Sequence, residues 1–540
     1  MGKGRFARRE NIEKLISLSK EVMMKYTKLI GLIMIVGMAV SSLAFAESPA
    51  EPTGTFTFAS AEPLTGNWDP TSHTILAQIN IENQIFDKLY FAPSGVDNPG
   101  KLIPGLAVSW KQIDPRTMEY KLRKGVKFHD GTRFDAKDVK ATLEFYSDPK
   151  KPGFGWIPGK LNVKIIDDYT AWVKTEKPLG SLLYSLGLVV ILSDEDIAAG
   201  RVKGRPNGTG PWKFVRQEKD TTILEANMDY WAGPVRFKEF HWVYVPMTTA
   251  RLFGLLAGEY DAIERVESEH VPIIEKDPDA AVQSAASVEN KWLIFRCHKP
   301  PFDDWRVRRA ISHAIDREGI VHILGRAGTA VEAHIPRAKF GYAPTPNNIE
   351  YNPKKALELL AEAGYKDIRD FPTLEYITST GFYPKTKEYA EYIQATLGAI
   401  GINVNLKVFE VSPWLESLYN PEAADMIDTG WCSGTPEPDQ IIRTIFHSST
   451  QRMTFVSDPV IDKTLDKEQA TTDLEERERI LQKETLPVLM ERVPALPLFT
   501  SVMIWGYRKE LKNFRGWPAN FFYLKDVEPP YGENDVYREK

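Results

Sequence analysis

The chain has 540 residues, 43% apolar and 26% charged, enough to bury more than one hydrophobic core. Its formal charge is −5, and its Lys and Arg residues do not cluster beyond single helix faces, which excludes a nucleic-acid binder that must neutralise phosphates. An oxidising compartment would permit its two cysteines, Cys297 and Cys432, to pair, but the sequence does not bring them within bonding reach, and we read them as unpaired.

Residues 1–28 hold eight Lys/Arg and three Asp/Glu, and the uncharged run "LIGLIMIVGMAVSSLAFA" follows from Leu29 to Ala46. A basic region, an apolar stretch and the small residues of Ala44-Phe45-Ala46 predict a secretory signal peptide cut after Ala46. The run is just long enough to serve instead as an uncleaved anchor across a bilayer of about 30 Å. Polar Glu47-Ser48-Pro49, with no basic stop signal, favours cleavage. The basic region is unusually long and contains Glu10, Glu13 and Glu21, so Met23 or Met24 is the expected functional start. No cysteine follows that would take a lipid. Without residues 1–46 the formal charge is −10, and no second long apolar run appears.

Along the exported chain, "TGTFTFA" from Thr53 alternates as a strand, and "GNWDPTSHTILAQINIENQIFDKLY" turns helical after Asp69-Pro70 and Thr71-Ser72. "MEYKLRKGVKFHDGTRFDAKDVKATLEFY" reads as a strand, a turn at Asp130-Gly131, and a helix capped by Asp135 with Val139, Thr142, Leu143 and Tyr146 inward. "NVKIIDDYTAWVKT" reads as a hairpin through Asp167-Asp168. A Pro/Gly-rich stretch from Arg205 to Pro211 marks a crossing between domains. Strands are expected at "WKFVRQ" and "FHWVYVP", and a short helix at "TTARLFGLLAGEYD".

The segment "KPPFDDWRVRRAISHAIDREGIV" (299–321) places Val307, Ala310, Ile311, Ala314 and Ile315 on one face of an amphipathic helix. Asp303 or Asp304 caps it, and Arg306, Arg309, His313 and Arg317 fall on the wetter side. "NPKKALELLAEAGY" is a helix with Asn352 at its cap, Pro353 first and Gly364 past its end. "TKEYAEYIQATLGAIGI" carries Tyr389, Ile393, Leu397 and Ile400 on one stripe, and "NVNLKVF" switches to period two. A charged amphipathic helix is expected from Leu474 to Met490, and "VPALPLF" leads into a last strand, "SVMIWGY".

Nothing in the pattern supports catalysis. The nine histidines lack metal-ligand spacing. Gly208-Thr209-Gly210-Pro211 lacks the Gly-Lys-Ser/Thr ending of a phosphate loop, and in "GWCSG" Ser433 sits one place late for a nucleophile elbow. No cofactor is expected.

Four stretches, "KGVKFHDGTRFDAKDV", "GTGPWKF", "KPPFDDWRVRRAISHAIDREGIV" and "NPKKALELLAEAGY", closely resemble the extracellular solute-binding proteins of family 5, the peptide/nickel/opine class that feeds ABC importers. The resemblance covers nearly all of the chain after residue 46. It implies an α/β, periplasmic binding protein-like fold (type II, cluster C), with two lobes, an extra inserted domain and a hinged ligand cleft. By that analogy domain I comprises 47–90, 206–295 and 495–540, domain II 91–205 and domain III 296–494, with "KWLIFRCHK" as one hinge crossing. The implied partners are a small-molecule or peptide ligand and the transmembrane subunits of an ABC permease. A monomer is implied, without nucleic acid. An exported enzyme on the same scaffold is the alternative, and turnover of a bound solute would reveal it.

Ligand contacts are also carried by the resemblance. The Trp-containing loop that enters the family's cleft is "TGWCSGTPEPDQ" here, which makes Trp431 the leading contact, with Cys432, Ser433, Gly434 and Thr435 beside it. Thr71, Ser72, His73 and Thr74 match the family's contacting loop after the first strand. The alternative for Trp431 is core packing, and for His73 a plain surface position. Dipeptide binders of the family hold the ligand ammonium with an aspartate three residues after that tryptophan and its carboxylate with an arginine before the helix that here begins near Thr386. Those positions are Gly434 and about Thr380 or Gly381, so an ordinary dipeptide is not expected, unless Lys385, Lys387 or Asp439 substitutes.

Overall fold

The computed structural model describes residues 51–516 except 73, 74, 92–99, 149, 151–156, 158, 346, 347, 381 and 382, and of Cys432 the backbone alone. The expected signal peptide, His73, Thr74 and Gly381 therefore lie outside the described residues.

Alternation in Thr55–Ser60 yields β1, with Phe56 and Phe58 fully buried. Helix α1 (Leu76–Ile85) precedes β2 (Tyr90–Phe91), β3 (Ile103–Pro104), β4 (Ala107–Asp114), β5 (Thr117–Leu122), α2 (Ala136–Tyr146), β6 (Leu161–Asp167) and β7 (Thr170–Thr175). Next come β8 (Trp212–Glu218), β9 (Thr221–Ala226), β10 (Glu239–Tyr244), β11 (Ala262–Ile263) and the long β12 (Ala280–Phe295). The remainder holds α3 (Trp305–His313), α4 (Arg317–Leu324), β13 (Gly328–Thr329), α5 (Pro353–Glu362), β14 (Leu374–Ser379), α6 (Thr386–Gly398), β15 (Val404–Phe409), β16 (Met426–Cys432) and the long β17 (Ala495–Arg508).

One sheet runs β15-β14-β16-β12-β17-β11-β1-β10-β9-β8, with β13 added on β17, and β4-β5-β7-β6 form a separate antiparallel sheet. At the centre β12 and β17 pair antiparallel from Ala280–Arg508 to Ile294–Ala495. On one side lie the parallel strands β14, β15 and β16, and on the other the parallel β11, β1 and β10. A large core from Trp292 to Phe499 sits on the first side; a second, built from Phe56 to Trp242 with Trp505, Leu511 and Phe514, sits on the other. The chain is thus a mixed α/β protein of two lobes joined by two long strands.

Local signals in the sequence act as expected. Asp135 and Asp138 form a reciprocal capping box on α2, whose Val139, Thr142, Leu143 and Tyr146 are buried. Asn352 caps α5 through the Lys355 amide. The motifs "KFHDG" and "GTGPW" lock together: the His129 amide donates to the Gly208 carbonyl at 2.8 Å, and the His129 ring Nε2 lies 3.0 Å from the Gly210 carbonyl. A Cβ on Gly208 would lie 2.1 Å from the Ile85 carbonyl oxygen, so only glycine permits this approach.

Several expectations need correction. The stretch 299–321 is two helices, because Asp316 caps a new one through the Gly319 amide after a break at 314–316. His313 is buried, its Nδ1 2.9 Å from the Glu350 carbonyl, and not on a wet face. The helix from Leu474 is interrupted by a π turn at Leu481–Thr485. Strand β17 begins at Ala495, not at Ser501; its Pro497 is accommodated where the pairing with β12 shifts register at Lys291/Trp292. Trp431, read as a loop residue, is in β16 opposite Asn290.

Candidate functional site at the strand-end crevice

The registers place the carboxyl ends of two parallel strand sets against the middle of the central pair. On one side β16 ends with Cys432 opposite Glu289. On the other, β11 ends at Ile263 opposite Gly506, and the Val266 amide then bonds the Ile504 carbonyl. Between these levels β12 carries an irregularity that starts after Ala286 and ends at Asn290, which pairs with Thr500. Open α/β sheets bind ligands in crevices outside the carboxyl ends of their strands. Here two such sets converge.

Charged groups gather at that place. Glu264 accepts from Ser60 Oγ at 2.7 Å and the Ala61 amide at 2.8 Å. Arg265, in a left-handed conformation at φ 51°, forms an ion pair with Glu62. Burial opposes the charge on Arg265, but Glu264, Glu62 and Glu289 outweigh it and raise its pKa. On β12, buried Lys291 pairs with Glu289 at 3.0 Å and stands over the ring of Tyr383. Ser501 Oγ donates to the second Glu289 oxygen at 3.1 Å. Beneath them Asp428 accepts from Tyr376 at 3.0 Å and Tyr389 at 2.5 Å; its burial raises its pKa against those bonds.

The residues expected from the sequence fall into three groups. Trp431 is half-buried at the margin of the larger core, with the Arg452 guanidinium 4.8 Å from its ring centroid. Ser433 and Thr435 are buried and committed to the buried Lys339, which donates to the Ser433 carbonyl at 2.6 Å and the Thr435 carbonyl at 2.5 Å. Gly434 between them is half-buried. Thr71 is fully buried, its hydroxyl donated to Asp69 at 2.6 Å, whereas Ser72 is half-buried and bonded to Asn67 at 2.8 Å. The two loops approach through one small apolar contact: Leu76 and Ile79 of α1 pack on Val288 and Ala338, next to Lys339.

The three substitutes for a ligand charge are engaged elsewhere. Lys385 bonds Glu269 at 2.7 Å, Lys387 lies 3.8 Å from Glu391, and Asp439 pairs with Arg443 at 3.0 Å. Sequence reasoning missed Glu62, Glu264, Arg265, Glu289, Lys291 and Lys339. Trp431 is reached through the family resemblance; the pairing of Arg265 with Glu62 across 203 residues has no local signal, and the closeness of Glu289 and Lys291 in the chain does not mark them as lining a crevice. Cys297 is buried as a free thiol, and burial pushes its pKa up to about 11.

Residues 101–452 match the family described as "Bacterial extracellular solute-binding proteins, family 5 Middle". The chain belongs to this family. It is 27% identical to the Heme-binding protein A of Haemophilus influenzae, over 92% of this chain and 94% of that protein. It is 26% identical to Di/tripeptide-binding protein 1 of Pseudomonas aeruginosa, over 86% and 93% of the two chains. The ABC transporter-associated periplasmic binding protein DppA of Helicobacter pylori, solved with the peptide STSA, superposes with a TM-score of 0.71 at 26% identity, covering 89% of this chain and 98% of that one. The chain is therefore a solute-binding receptor of the kind that serves ABC importers. No helix among the described residues is long and apolar enough to cross a membrane.

Proposed function

We propose that the receptor captures a peptide in the crevice between its lobes and hands it to the transmembrane subunits of an ABC permease, acting as a monomer and without turnover. The observation that carries this reading is that both sets of strand ends face the middle of the central pair, where Arg265 on one side feels the charge of Glu289 on the other. A relative named for di- and tripeptides and another solved in complex with the peptide STSA support the ligand class. Trp431, Gly434 and Ser72 would contribute contacts, with Cys432, Ser433, Thr435 and Thr71 holding the loops and His73 and Thr74 alongside. In this reading residues 47–90, 206–295 and 495–540 form one domain, 91–205 an insertion and 296–494 the facing domain, which close about β12 and β17.

The crevice charges favour a peptide longer than two residues. Arg265 is matched to Glu62 and Lys291 to Glu289. A ligand that presents main-chain amides fits a wall whose cations are already matched better than does a bare zwitterion, whose carboxylate needs a cation of its own. Native mass spectrometry of the protein purified from its host tests this directly. A co-purified peptide is the expected result, and a sugar, opine or metal chelate in its place would refute it. Chemical change of a bound solute would favour the enzyme alternative.

Export is part of the same reading, with the signal peptide removed after Ala46 and the mature chain free in the periplasm. A mature N-terminus retaining Leu29 to Ala46, in the membrane fraction, would refute it. Ligand binding should also reduce the radius of gyration in small-angle scattering, because closure buries both walls.

A further inference from the structure

Helix α1 is largely buried although Gln78, Asn80, Glu82, Asn83 and Gln84 are all polar. Its Ala77, Ile81 and Ile85 enter the core of the first lobe. Helical spacing then sets Leu76, Ile79 and Asn83 on the opposite face. Leu76 and Ile79 pack there on Val288 and Ala338, so this face looks across to the second lobe. Ala338 is followed by Lys339, which holds Ser433 and Thr435. Asn83 stands one turn beyond Ile79 on this face.

The neighbouring amides are occupied. Gln78 accepts from the Thr65 amide at 3.0 Å and donates to Glu82 at 3.2 Å, and Gln84 donates to the Asn80 carbonyl at 3.4 Å. Asn83 differs: it is 4% exposed, and neither Nδ2 nor Oδ1 has a hydrogen-bond partner among the described residues. A buried carboxamide with both functions unmet is uncommon, because each loses its hydration without compensation. Such a group offers one donor and one acceptor side by side. In an extended peptide the N–H and C=O of one residue point to the same side, and together they complement it.

We propose that Asn83 binds the main chain of the ligand, Oδ1 accepting an N–H and Nδ2 donating to the C=O of the same extended residue. The inference rests on the peptide reading above and deepens it. Recognition of this kind ignores side chains, so it selects for a peptide backbone and not for a sequence.

The test uses the mature chain and three probes: trialanine and two analogues, each methylated at one of its amide nitrogens. Isothermal titration of the wild type should show one analogue bound about tenfold more weakly than trialanine, the loss expected for one hydrogen bond to a buried partner. Asn83→Leu should bind trialanine about tenfold more weakly than the wild type and no longer discriminate. Asn83→Ala serves as the second variant should leucine overfill the site. Equal binding of the three probes by the wild type, or discrimination retained by the variants, overturns the assignment of Asn83. A wild type that binds none of them removes the peptide reading itself, and the assignment with it.

Discussion

Arg477 donates from Nη1 to the Gly180 carbonyl at 3.1 Å while its other nitrogens hold Glu437 at 2.6 Å and Glu468 at 2.8 Å, all three ionic side chains being fully buried. The Gly180 amide in turn donates to the Gln469 carbonyl at 2.6 Å. Gly180 belongs to the segment around β7, whereas Arg477 and Gln469 belong to the chain before β17. These two bonds to the Gly180 backbone, one from the Arg477 side chain and one to the Gln469 carbonyl, tie two distant stretches beside an ionic cluster.

Replacing Gly180 with alanine should break that tie, because its Cβ would lie 2.1 Å from the Thr471 carbonyl oxygen and 2.9 Å from Arg477 Cδ. Neither backbone can yield without separating the segments. The expected outcome is a ligand-free protein of larger radius in small-angle scattering and a weaker ligand affinity, with the fold intact by circular dichroism. An unchanged radius and affinity would show that the contact does not hold the two stretches together.

Lys291→Met should destabilise the protein by about 3–5 kcal/mol, since removing one partner strands Glu289 in a largely buried position. Glu289→Gln alone leaves the Lys291 ammonium without its carboxylate and should cost a similar amount. The double variant should recover much of the loss, and the recovered energy measures the coupling. Urea midpoints of the four proteins give the cycle; additive losses would mean that the 3.0 Å pair contributes nothing.

How far the sequence discloses the molecule depends on distance along the chain. Asp135, Asn352 and Gly364 act within one helical turn, and their caps are legible because the partner is three residues away. Asp316 is hidden as a cap because the apolar phase of Val307 to Ile315 runs unbroken up to it. The six residues of β9 escaped for want of a strong alternation, although they pair with both β8 and β10. At the crevice, Trp431 and Ser433 were reached through family resemblance. Arg265 and Glu62 meet across 203 residues, and no local pattern encodes such a meeting. Thr71 shows the converse, a matching position whose hydroxyl is already spent on Asp69.

Acid and base should act on stability through different residues. Asp138, 3% exposed, accepts from the amides of Asp135 at 2.8 Å and Asp194 at 2.9 Å, and its burial, despite those bonds, pushes its pKa from 3.8 up to about 7. Within that window the folded chain holds a proton that the unfolded chain releases. The stability it adds is full below about pH 4 and lost as the pH rises through 7. Burial lowers the pKa of His129 from 6.5 to about 4, so its contribution is full above 6.5 and lost as the pH falls through 4. Asp138→Asn isolates the first effect. The stability advantage of the wild type over this variant, from urea midpoints, should shrink between pH 5 and pH 8; a constant difference would contradict the raised pKa.

Dipeptides provide the sharpest test of the ligand. By the family resemblance Gly434 stands where dipeptide binders carry an aspartate, and Lys385, Lys387 and Asp439 are already paired with Glu269, Glu391 and Arg443. A dipeptide would bring two charges within a few ångströms of each other, each costing several kcal/mol to desolvate without a countercharge. Longer peptides spread those ends apart and gain main-chain hydrogen bonds between them. A ligand at 100 times its Kd adds about 2.7 kcal/mol, enough to raise the melting temperature of a chain this size by at least a degree or two. A mixed dipeptide library should therefore leave the melting temperature unchanged while tri- to pentapeptides raise it. Gly434→Asp should then restore a dipeptide shift in part, by supplying the ammonium partner without the carboxylate partner. A full shift by dipeptides on the wild type, with longer peptides silent, would mean that another residue of the crevice anchors the ammonium, and Glu62 or Glu289 would be the carboxylate to replace first.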